Sequence, residues 1–191
     1  MLSEVDLDPD PFRQFARWHT EAGSPPEMAL CTASPAGEPA ARMVLLKGVD
    51  DGGFVFFTNY GSAKARNLDA NPRAALLFHW PPHRQVRVRG GASRVSAGES
   101  DAYWATRPRG SQLGAWASRQ SQVIASRAEL ERRVVEVAAT YPGDIPRPPH
   151  WGGFRVVPAE IEFWHHRDDR LHDRLRYRRA GARWVIDRLS P

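Results

Sequence analysis

The sequence predicts a mainly β, α+β fold, namely a small antiparallel β-barrel with peripheral helices. Two observations predict this class. At least six segments have the alternation or composition of strands and are joined by short turn sequences, and only a few segments carry helix-capping residues. With 191 residues and no internal repeat, the chain is long enough for one hydrophobic core. We therefore expect a single domain at 1–191, with a flexible segment at 1–9.

The first predicted elements are one helix and three strands. Asp10 and Pro11 are a helix cap and a first-turn proline, and the helix ends near Gly23. Turn sequences at 35–37 and 50–53 separate strands predicted at 28–34, 40–49 and 54–58. Because the connections are so short, we expect these strands to be adjacent and antiparallel.

The rest of the chain alternates between capped helices and strands. Ser62 caps a short predicted helix that runs to Leu68 and stops before Pro72. A Ser followed by Glu three residues later predicts helices that open near 97 and near 127, the second running to Thr140. The remaining predicted elements are strands at 74–80, 85–95, 154–164, 171–178 and 183–189, with a proline-rich loop at 141–149.

Composition argues against several classes of protein. The net charge is +5, but acidic residues are interspersed with the basic ones, so we expect no nucleic-acid partner. No apolar run is long enough to cross a bilayer, and residues 1–10 are acidic and unlike a secretory signal, so we expect a cytoplasmic protein with no membrane partner. Cys31 is the single cysteine, which leaves no internal disulfide.

Common catalytic and metal-binding motifs are missing as well. The sequence has none of the signatures of serine hydrolases, zinc proteases, P-loop enzymes or dinucleotide-binding folds. His165, His166 and His172 lie close in sequence, but adjacent strand residues face opposite ways and no carboxylate or thiolate completes a ligand set at suitable spacing. We therefore predict no metal site. What remains is four clusters of cationic, hydroxyl and aromatic residues.

The first two clusters contain the only lysines among 27 basic residues. Arg42 and Lys47 bound one predicted strand and, an odd number of positions apart, should face opposite sides. Ser62 and Lys64 stand where a strand and a glycine turn give way to a helix N-terminus, an environment that suits a phosphate. Charged edge strands and capped turns have the same composition, but a compact ammonium in an arginine-rich sequence favours an anionic ligand.

The third cluster is formed by Tyr103, Arg107 and Ser111. Tyr103 and Arg107 are four positions apart near a helix end and share a face, and Ser111 follows a proline break. Their phenol, guanidinium and hydroxyl groups can converge on a second phosphate, whereas the simpler interpretation is an arginine that complements the helix dipole.

The fourth cluster is formed by Arg170, His172 and Arg174. These residues alternate along the strand predicted after the turn near 168, so they should face the same way. Like charges on one face of a strand are destabilising unless an anionic or electron-rich ligand lies against them. The fourth cluster therefore predicts a functional surface.

The four clusters, in this order, resemble the pyridoxamine/pyridoxine 5′-phosphate oxidases over about 10–191. The most specific match is the run 162–174, a Glu-aromatic-Trp sequence followed by Arg-x-His-x-Arg. The stretches 107–121, 151–154 and 184–191 agree with the family pattern as well. The resemblance implies a split barrel that binds flavin mononucleotide (FMN), works as a homodimer and holds FMN at the interface, so that each site uses both subunits.

The resemblance also implies which residues contact each ligand. FMN contacts fall on Arg42, Met43, Val44, Leu45, Leu46, Lys47, Phe57, Thr58, Lys64, Gln85, Gln120, Ser121, Trp164 and Arg174. The substrate phosphate would be held by Lys47, Tyr103, Arg107 and Ser111, and the substrate ring by the catalytic pair Arg170 and His172. The implied reaction turns pyridoxamine or pyridoxine 5′-phosphate into pyridoxal 5′-phosphate. Hydride passes from C4′ to flavin N5, and O₂ reoxidises the flavin and leaves as H₂O₂.

Two departures from the family pattern and three alternatives stay open. Ala63 stands where these enzymes often carry an arginine, and His165-His166 replaces the usual Gln-Gly. One alternative is an oxidase of another substrate, such as the phenazine-biosynthesis relatives; a substrate without phosphate would leave the third cluster unpaired. The others are a non-catalytic module that binds flavin or pyridoxal phosphate, and a barrel that binds nucleic acid.

Overall fold

The computed structural model describes residues 2–191, which form nine β-strands, five α-helices and two short 3-10 helices. The strands are β1 (Glu27–Ala33), β2 (Pro39–Leu45), β3 (Gly48–Asp50), β4 (Gly53–Asn59), β5 (Arg73–Trp80), β6 (Arg84–Arg94), β7 (Trp151–His165), β8 (Asp173–Ala180) and β9 (Arg183–Arg188). The helices are α1 (Pro11–Glu21), α2 (Ala63–Ala70), α3 (Ala97–Ala105), α4 (Arg109–Ala117) and α5 (Arg127–Thr140), with 3-10 helices at Glu4–Asp6 and Asp168–Arg170. None of these helices is long and apolar enough to span a membrane.

The nine strands join one antiparallel sheet that divides at β7. The whole of β6 pairs with β7, from Arg84 opposite His165 to Arg94 opposite Phe154. On its other edge, the first part of β7 pairs with β4 and the last part pairs with β8. The sheet therefore separates into the branches β4–β3 and β8–β9, and it continues in the other direction through β6, β5, β1 and β2. This arrangement confirms the predicted antiparallel split barrel.

The main core lies against the sheet and is closed by α1. Phe15 and Trp18, on one face of α1, are 1% and 3% exposed. Phe15 packs edge-on against Phe54 and Phe78, and Trp18 packs edge-on against Phe163. Because burial of one large apolar side chain is worth about 1.5–3 kcal/mol, this aromatic cluster is a main source of stability.

The helices begin where capping residues predict. The side chains of Asp10, Ser62, Ser96 and Ser126 each accept a hydrogen bond from a backbone N–H in the first turn of the helix that follows. These bonds satisfy donors that helix geometry leaves without a partner. Because each cap involves only a few neighbouring residues, the sequence alone predicts where these helices begin.

Element boundaries differ from the prediction where the partner strand changes. The predicted strand 40–49 divides into β2, which pairs with β1, and β3, which pairs with β4. At the break, the N–H of Leu46 donates to Pro26 O, and the N–H of Lys47 donates to Val55 O. Lys47 therefore leaves the strand that carries Arg42, and the prediction of one regular strand facing both ways is wrong.

The N-terminal segment contacts the last two strands. The N–H of Leu2 donates to Asp173 Oδ2 at 3.0 Å, and Arg188 is ion-paired with Glu4 at 2.9 Å. The hydroxyl of Tyr177 donates to Asp8 O at 2.6 Å. The flexibility expected at 1–9 stays a prediction, and these contacts of residues 2–8 argue against it.

Candidate functional site

A cavity of about 360 Å³ is lined by residues of β2, β4, β7, α2, α3, α4 and their connections. Its volume lies in the range of small-molecule sites. The lining residues are Met43, Val44, Leu45, Lys47, Phe57, Thr58, Asn59, Lys64, Tyr103, Arg107, Gly114, Ala115, Ser118, Gln120 and Trp151. The cavity thus joins most of the first three clusters, which lie far apart in sequence.

One wall of the cavity is aromatic. The ring of Phe57 stacks on Tyr103, with centroids 4.1 Å apart, and on Trp151, with centroids 5.4 Å apart. Gly153, the cross-strand partner of Phe57, makes this packing possible. A Cβ at Gly153 would lie 2.8 Å from the Phe57 ring and 2.7 Å from Val95. The flat wall therefore depends on a close approach that only glycine allows.

Lys64 places a nearly buried ammonium at one end of the cavity. It lies in the first turn of α2, which Ser62 caps, and it is 9% exposed. Its Nζ donates to Thr58 Oγ1 and to Gln120 Oε1, both at 3.2 Å. Burial lowers the pKa of Lys64, and the nearby positive charge of Arg42 lowers it further. A helix N-terminus with a buried cation is suited to an anion such as phosphate.

Arg107 brings a second, half-buried cation to the cavity. Its guanidinium lies 4.5 Å from the ring centroid of Trp151 and 5.1 Å from that of Trp104. Its Nη1 is buried and has no hydrogen-bond partner among the described residues. Burial lowers the pKa of Arg107, with a small opposing effect of Tyr103. A buried donor without a partner is costly in a native protein, so it points to a missing acceptor.

The cavity has positive charge without local compensation. Lys47, Lys64 and Arg107 line it, and no Asp or Glu does. None of these three cations has a carboxylate within 4.0 Å in the part of the chain that the structure describes, although ion pairs involving arginine are frequent elsewhere on the surface. Unpaired cations around an aromatic wall are suited to a flat ligand that carries phosphate.

A second group of predicted residues forms a row across three strands. Gln85 on β6 lies opposite Trp164 on β7, which lies opposite Arg174 on β8. The ring of His172 lies beside this row, 4.7 Å from the ring of Trp164. Arg174 is ion-paired with the buried carboxylate of Glu162 at 2.8 Å, which raises the pKa of Arg174. The three residues of this row do not line the cavity of the same chain, and neither does His172.

The predicted alternation of Arg170, His172 and Arg174 along one strand is wrong. Strand β8 begins at Asp173, because its ladder with β7 ends where His165 faces Asp173 and earlier residues have no strand to pair with. Arg170 instead ends a 3-10 helix and has a positive φ of 60°, directly after Asp169 with φ 54°. The argument from like charges on one face therefore fails for this cluster.

Four other predicted residues lie outside the cavity lining. The guanidinium of Arg42 turns back to Leu30 O and Thr32 Oγ1, at 3.0 and 2.9 Å. Leu46 is buried in the main core, and Ser111 is exposed on α4. Ser121, which has a φ of 71°, lines a smaller neighbouring pocket together with Gln120.

The sequence did not assign a role to five lining residues. These are Asn59, Gly114, Ala115, Ser118 and Trp151. Asn59 is placed by a hydrogen bond from its Nδ2 to Ser118 O at 3.1 Å, and Trp151 by the aromatic wall. The Trp-Gly-Gly run at 151–153 was a usable signal for the wall, because two glycines after an aromatic residue mark a close approach. Helix α4 lacks a capping side chain and was missed altogether.

Solved structures share the architecture that carries this cavity. A crystal structure of PhzG from Burkholderia lata in complex with tetrahydrophenazine-1-carboxylic acid aligns with a TM-score of 0.93 and 32% identity, covering 100% of this chain and 98% of that one. A pyridoxamine 5′-phosphate oxidase-related, FMN-binding protein from Nostoc punctiforme aligns with a TM-score of 0.78 and 20% identity, covering 97% of this chain and 100% of that one, and shows the fold alone.

Curated sequences are similar over the whole chain. A pyridoxine/pyridoxamine 5′-phosphate oxidase of Rubrobacter xylanophilus is 59% identical over 197 residues, covering 100% of this chain and 91% of that protein. A protein of the same name from Cupriavidus necator is 55% identical, covering 100% of this chain and 93% of that protein.

Fold, cavity and relatives together define the class of the protein as a split-barrel oxidoreductase. Two family models then narrow the class. The model described as pyridoxamine 5′-phosphate oxidase matches residues 16–141, and the model described as the pyridoxine 5′-phosphate oxidase C-terminal dimerisation region matches residues 151–191. The chain belongs to the pyridoxamine 5′-phosphate oxidase family, as its resemblance indicated, and it is an enzyme.

Proposed function

We propose that this chain is an FMN-dependent oxidase that converts pyridoxamine 5′-phosphate or pyridoxine 5′-phosphate to pyridoxal 5′-phosphate, with O₂ as oxidant and H₂O₂ as by-product. The amine substrate is oxidised to an imine, and water hydrolyses the imine to the aldehyde and ammonia. The observation that carries the proposal is the cavity with three cations and no carboxylate. Both ligands bring a phosphate and a flat ring, and the cavity offers cations and an aromatic wall. The names of relatives at 55–59% identity support the same substrates.

We assign each phosphate to a different cation of the cavity. We assign the FMN phosphate to Lys64, whose ammonium has only a hydroxyl and an amide oxygen as partners. We assign the substrate phosphate to Arg107, whose Nη1 is buried and unpaired, with Lys47 and Tyr103 beside it. Ser111 would need a local shift of α4 to take part, because it is exposed and does not line the cavity.

The remaining contacts are proposed to come from the partner subunit of a homodimer. Gln85, Trp164, His172 and Arg174 form one surface that does not reach the cavity of its own chain. The match to a C-terminal dimerisation region covers three of these four residues. In a two-fold dimer, the same surface of each subunit can complete the cavity of the other.

The division of work between cofactor and protein follows from this arrangement. When bound, FMN would supply the redox chemistry, namely the uptake of hydride from the substrate and the transfer of electrons to O₂. Lys47 and Arg107 hold the substrate phosphate, and Arg170 and His172 hold its ring, so that C4′ is kept in a reactive orientation. Positioning of this kind is worth up to about 7–11 kcal/mol in well-oriented reactions. No general base is assigned, since hydride removal does not need one.

The test is turnover of the FMN-loaded protein with and without the substrate phosphate. We expect O₂ uptake and pyridoxal 5′-phosphate formation with pyridoxamine 5′-phosphate, and little turnover of pyridoxamine. Arg107→Leu should lower kcat/KM for the phosphorylated substrate about 10²-fold or more, the loss of a charge-assisted contact, and should leave the slow turnover of pyridoxamine unchanged. Protein that takes up no FMN, or that oxidises both amines equally well, would contradict the proposal.

A flavin oxidase of the phenazine type is the second candidate, favoured by the 32% identical PhzG structure. It is the weaker one, because relatives named pyridoxine/pyridoxamine 5′-phosphate oxidase are 55–59% identical, whereas PhzG is 32% identical. A direct comparison of tetrahydrophenazine-1-carboxylic acid with pyridoxamine 5′-phosphate as substrates decides between them.

A further inference from the structure

The orientation of His172 is set by a backbone hydrogen bond. The N–H of Arg167 donates to His172 Nδ1 at 3.1 Å. A nitrogen that accepts such a bond carries no proton, so a neutral His172 has its proton on Nε2. His172 therefore offers one N–H donor, in one tautomer, on the side of the ring away from the 166–172 segment.

The strand ladder does not provide this orientation. The 166–172 segment lies between the last pair of β7 and the first residue of β8, and it contains the two left-handed residues Asp169 and Arg170. Left-handed residues other than glycine cost free energy, so surrounding contacts must hold the backbone here. The contacts that do so involve histidines from two parts of the chain.

The rings of His83, His166 and His172 form a histidine stack, in which His83 lies nearly parallel to His166 and His166 is tilted by 39° against His172. The centroids of His166 and His172 are 5.2 Å apart, and those of His166 and His83 are 5.7 Å apart. The N–H of His166 also donates to His83 O at 2.8 Å. His83 belongs to the turn between β5 and β6, so this stack ties the 166–172 segment to a turn that is remote in sequence.

We propose that His83 and His166 are positioning residues for His172, holding its ring so that Nδ1 accepts from the Arg167 N–H and Nε2–H faces the substrate ring. This inference rests on the proposed function for the role of His172, and it adds two residues that the resemblance does not assign to any ligand. The described residues contain no group of three His, Cys, Asp or Glu side chains that could hold one metal ion.

The kinetic test removes and restores the aromatic contact. His166→Gly and His83→Ala should each lower kcat/KM for pyridoxamine 5′-phosphate about ten- to a hundredfold, since small misplacements of a positioning group have effects of that size. FMN affinity should stay within about twofold, because Lys64 and its partners are untouched. His166→Phe should restore most of the loss, because it keeps a flat ring at this position.

A double-variant comparison separates positioning from general damage to the fold. In an enzyme that already carries His172→Ala, His166→Gly should have little additional effect on kcat/KM, since residues that act as one unit are not additive. His79→Ala is the matched control, because His79 is exposed on β5 and is not part of the stack. It should leave kcat/KM unchanged.

The spectroscopic test does not depend on turnover. In ¹⁵N NMR spectra of the FMN-loaded dimer at a pH where histidines are neutral, His172 should show an unprotonated Nδ1 and a protonated Nε2. His166→Gly should produce a mixture of tautomers. A proton on Nδ1 in the unmodified protein would overturn the inference, as would a His166→Gly variant with unchanged spectra and kinetics. If the enzyme has no oxidase activity but the spectra behave as expected, the proposed function fails and the stack stands.

Discussion

At the scale of single residues, the candidate site is defined by cations that have no carboxylate partner among the described residues. Lys64 is 9% exposed and is bonded only to neutral acceptors, and Arg107 has a buried N–H with no acceptor. In both residues burial lowers the pKa, which means that the charged form is disfavoured in the chain alone. Such groups persist in functional sites because a bound anion restores the lost interactions.

Lys64→Met tests the assignment of the FMN phosphate. The variant should bind FMN about 10- to 100-fold more weakly, equivalent to about 1.5–3 kcal/mol for one charge-assisted contact. The fold should be no less stable without FMN, because an unpaired buried charge has been removed. Quenching of flavin fluorescence on titration of the apoprotein measures the affinity.

Variants at two neighbours of Lys64 complete the test, one as a control and one that adds a cation. Arg66→Met, on the exposed side of α2, should leave FMN affinity unchanged. Ala63→Arg adds the cation that relatives often carry beside the lysine and should tighten binding. Unchanged affinity in Lys64→Met would remove the FMN phosphate from this position.

Asp173 makes a pH-dependent contribution to stability. Burial alone would raise the pKa of this carboxyl, but the N–H of Leu2 and the guanidinium of Arg188 outweigh burial and leave the pKa below its ordinary value of 3.8. A lowered folded-state pKa stabilises the protein above the unfolded pKa, and the stability is lost as the pH falls through the folded value. The contribution of Asp173 should therefore be complete at pH 7.

Asp173→Asn should reduce the free energy of unfolding by about 1–3 kcal/mol at pH 7, the range for hydrogen bonds to a charged group. The difference from the unmodified protein should begin to shrink as the pH falls below about 4, where the carboxyl of the unfolded chain becomes protonated, and it should shrink further as the pH falls through the lowered folded-state pKa. Urea unfolding of both proteins at a fixed protein concentration measures the loss of unfolding free energy at pH 7 and its decrease in acid. Asp168→Asn, an exposed aspartate of the nearby 3-10 helix, should have no such effect at either pH.

At the scale of elements, strand β7 organises the site through its first residues. Trp151 contributes a ring to the aromatic wall, and Gly153 lets the ring of Phe57 lie against the strand. The other end of β7 carries Trp164 and leads into the 166–172 segment. One strand thus carries residues of both the cavity and the surface proposed to complete the partner's cavity.

Gly153→Ala should disturb the aromatic wall. The added Cβ would lie 2.7 Å from Val95 and 2.8 Å from Phe57, closer than real contacts allow. We expect a loss of about 1–3 kcal/mol in stability, as for other overpacked sites. Gly143→Ala is the control, since no atom lies within 4 Å of its Cβ and it should be neutral or slightly stabilising. Thermal unfolding of both variants measures the difference, and equal melting temperatures would contradict the role given to Gly153.

Element boundaries show which features of the fold can be predicted from the sequence and which cannot. Helix starts at Asp10, Ser62, Ser96 and Ser126 were predictable, because a capping side chain acts on a backbone group two or three residues away. The sequence did not predict the break in the strand expected at 40–49 or the late start of β8. Both depend on where a partner strand ends, and that partner is remote in sequence.

At the scale of the whole molecule, one chain carries two groups of predicted site residues that do not meet. The cavity contains Lys64 and Arg107, and the row of Gln85, Trp164 and Arg174 lies elsewhere on the sheet. The match to a dimerisation region over 151–191 provides a reason for the separation. We therefore expect activity to belong to the dimer.

Mixing two inactive variants tests this expectation. Arg107→Leu removes a cavity residue, and His172→Ala removes a residue of the completing surface, so each homodimer should have very low activity. After joint unfolding and refolding of equal amounts, half the dimers are mixed and each has one intact site. Activity should recover to about a quarter of the unmodified level, as two-fold symmetry requires. No recovery, with mixed dimers demonstrated by mass spectrometry, would mean that both residues act within one subunit.

The sequence by itself determined the local structure of this protein and the set of residues that are candidates for its site. Strand alternation, capping residues, two lysines among arginines and the 162–174 motif are each contained in a few neighbouring residues, so they can be recognised without coordinates. Tertiary structure decided that Lys64 and Arg107 share one cavity, that Arg170 lies off the strand and that the His166 ring lies between those of His172 and His83. These relations depend on strand pairing between distant segments, and strand pairing is settled only when the whole sheet forms.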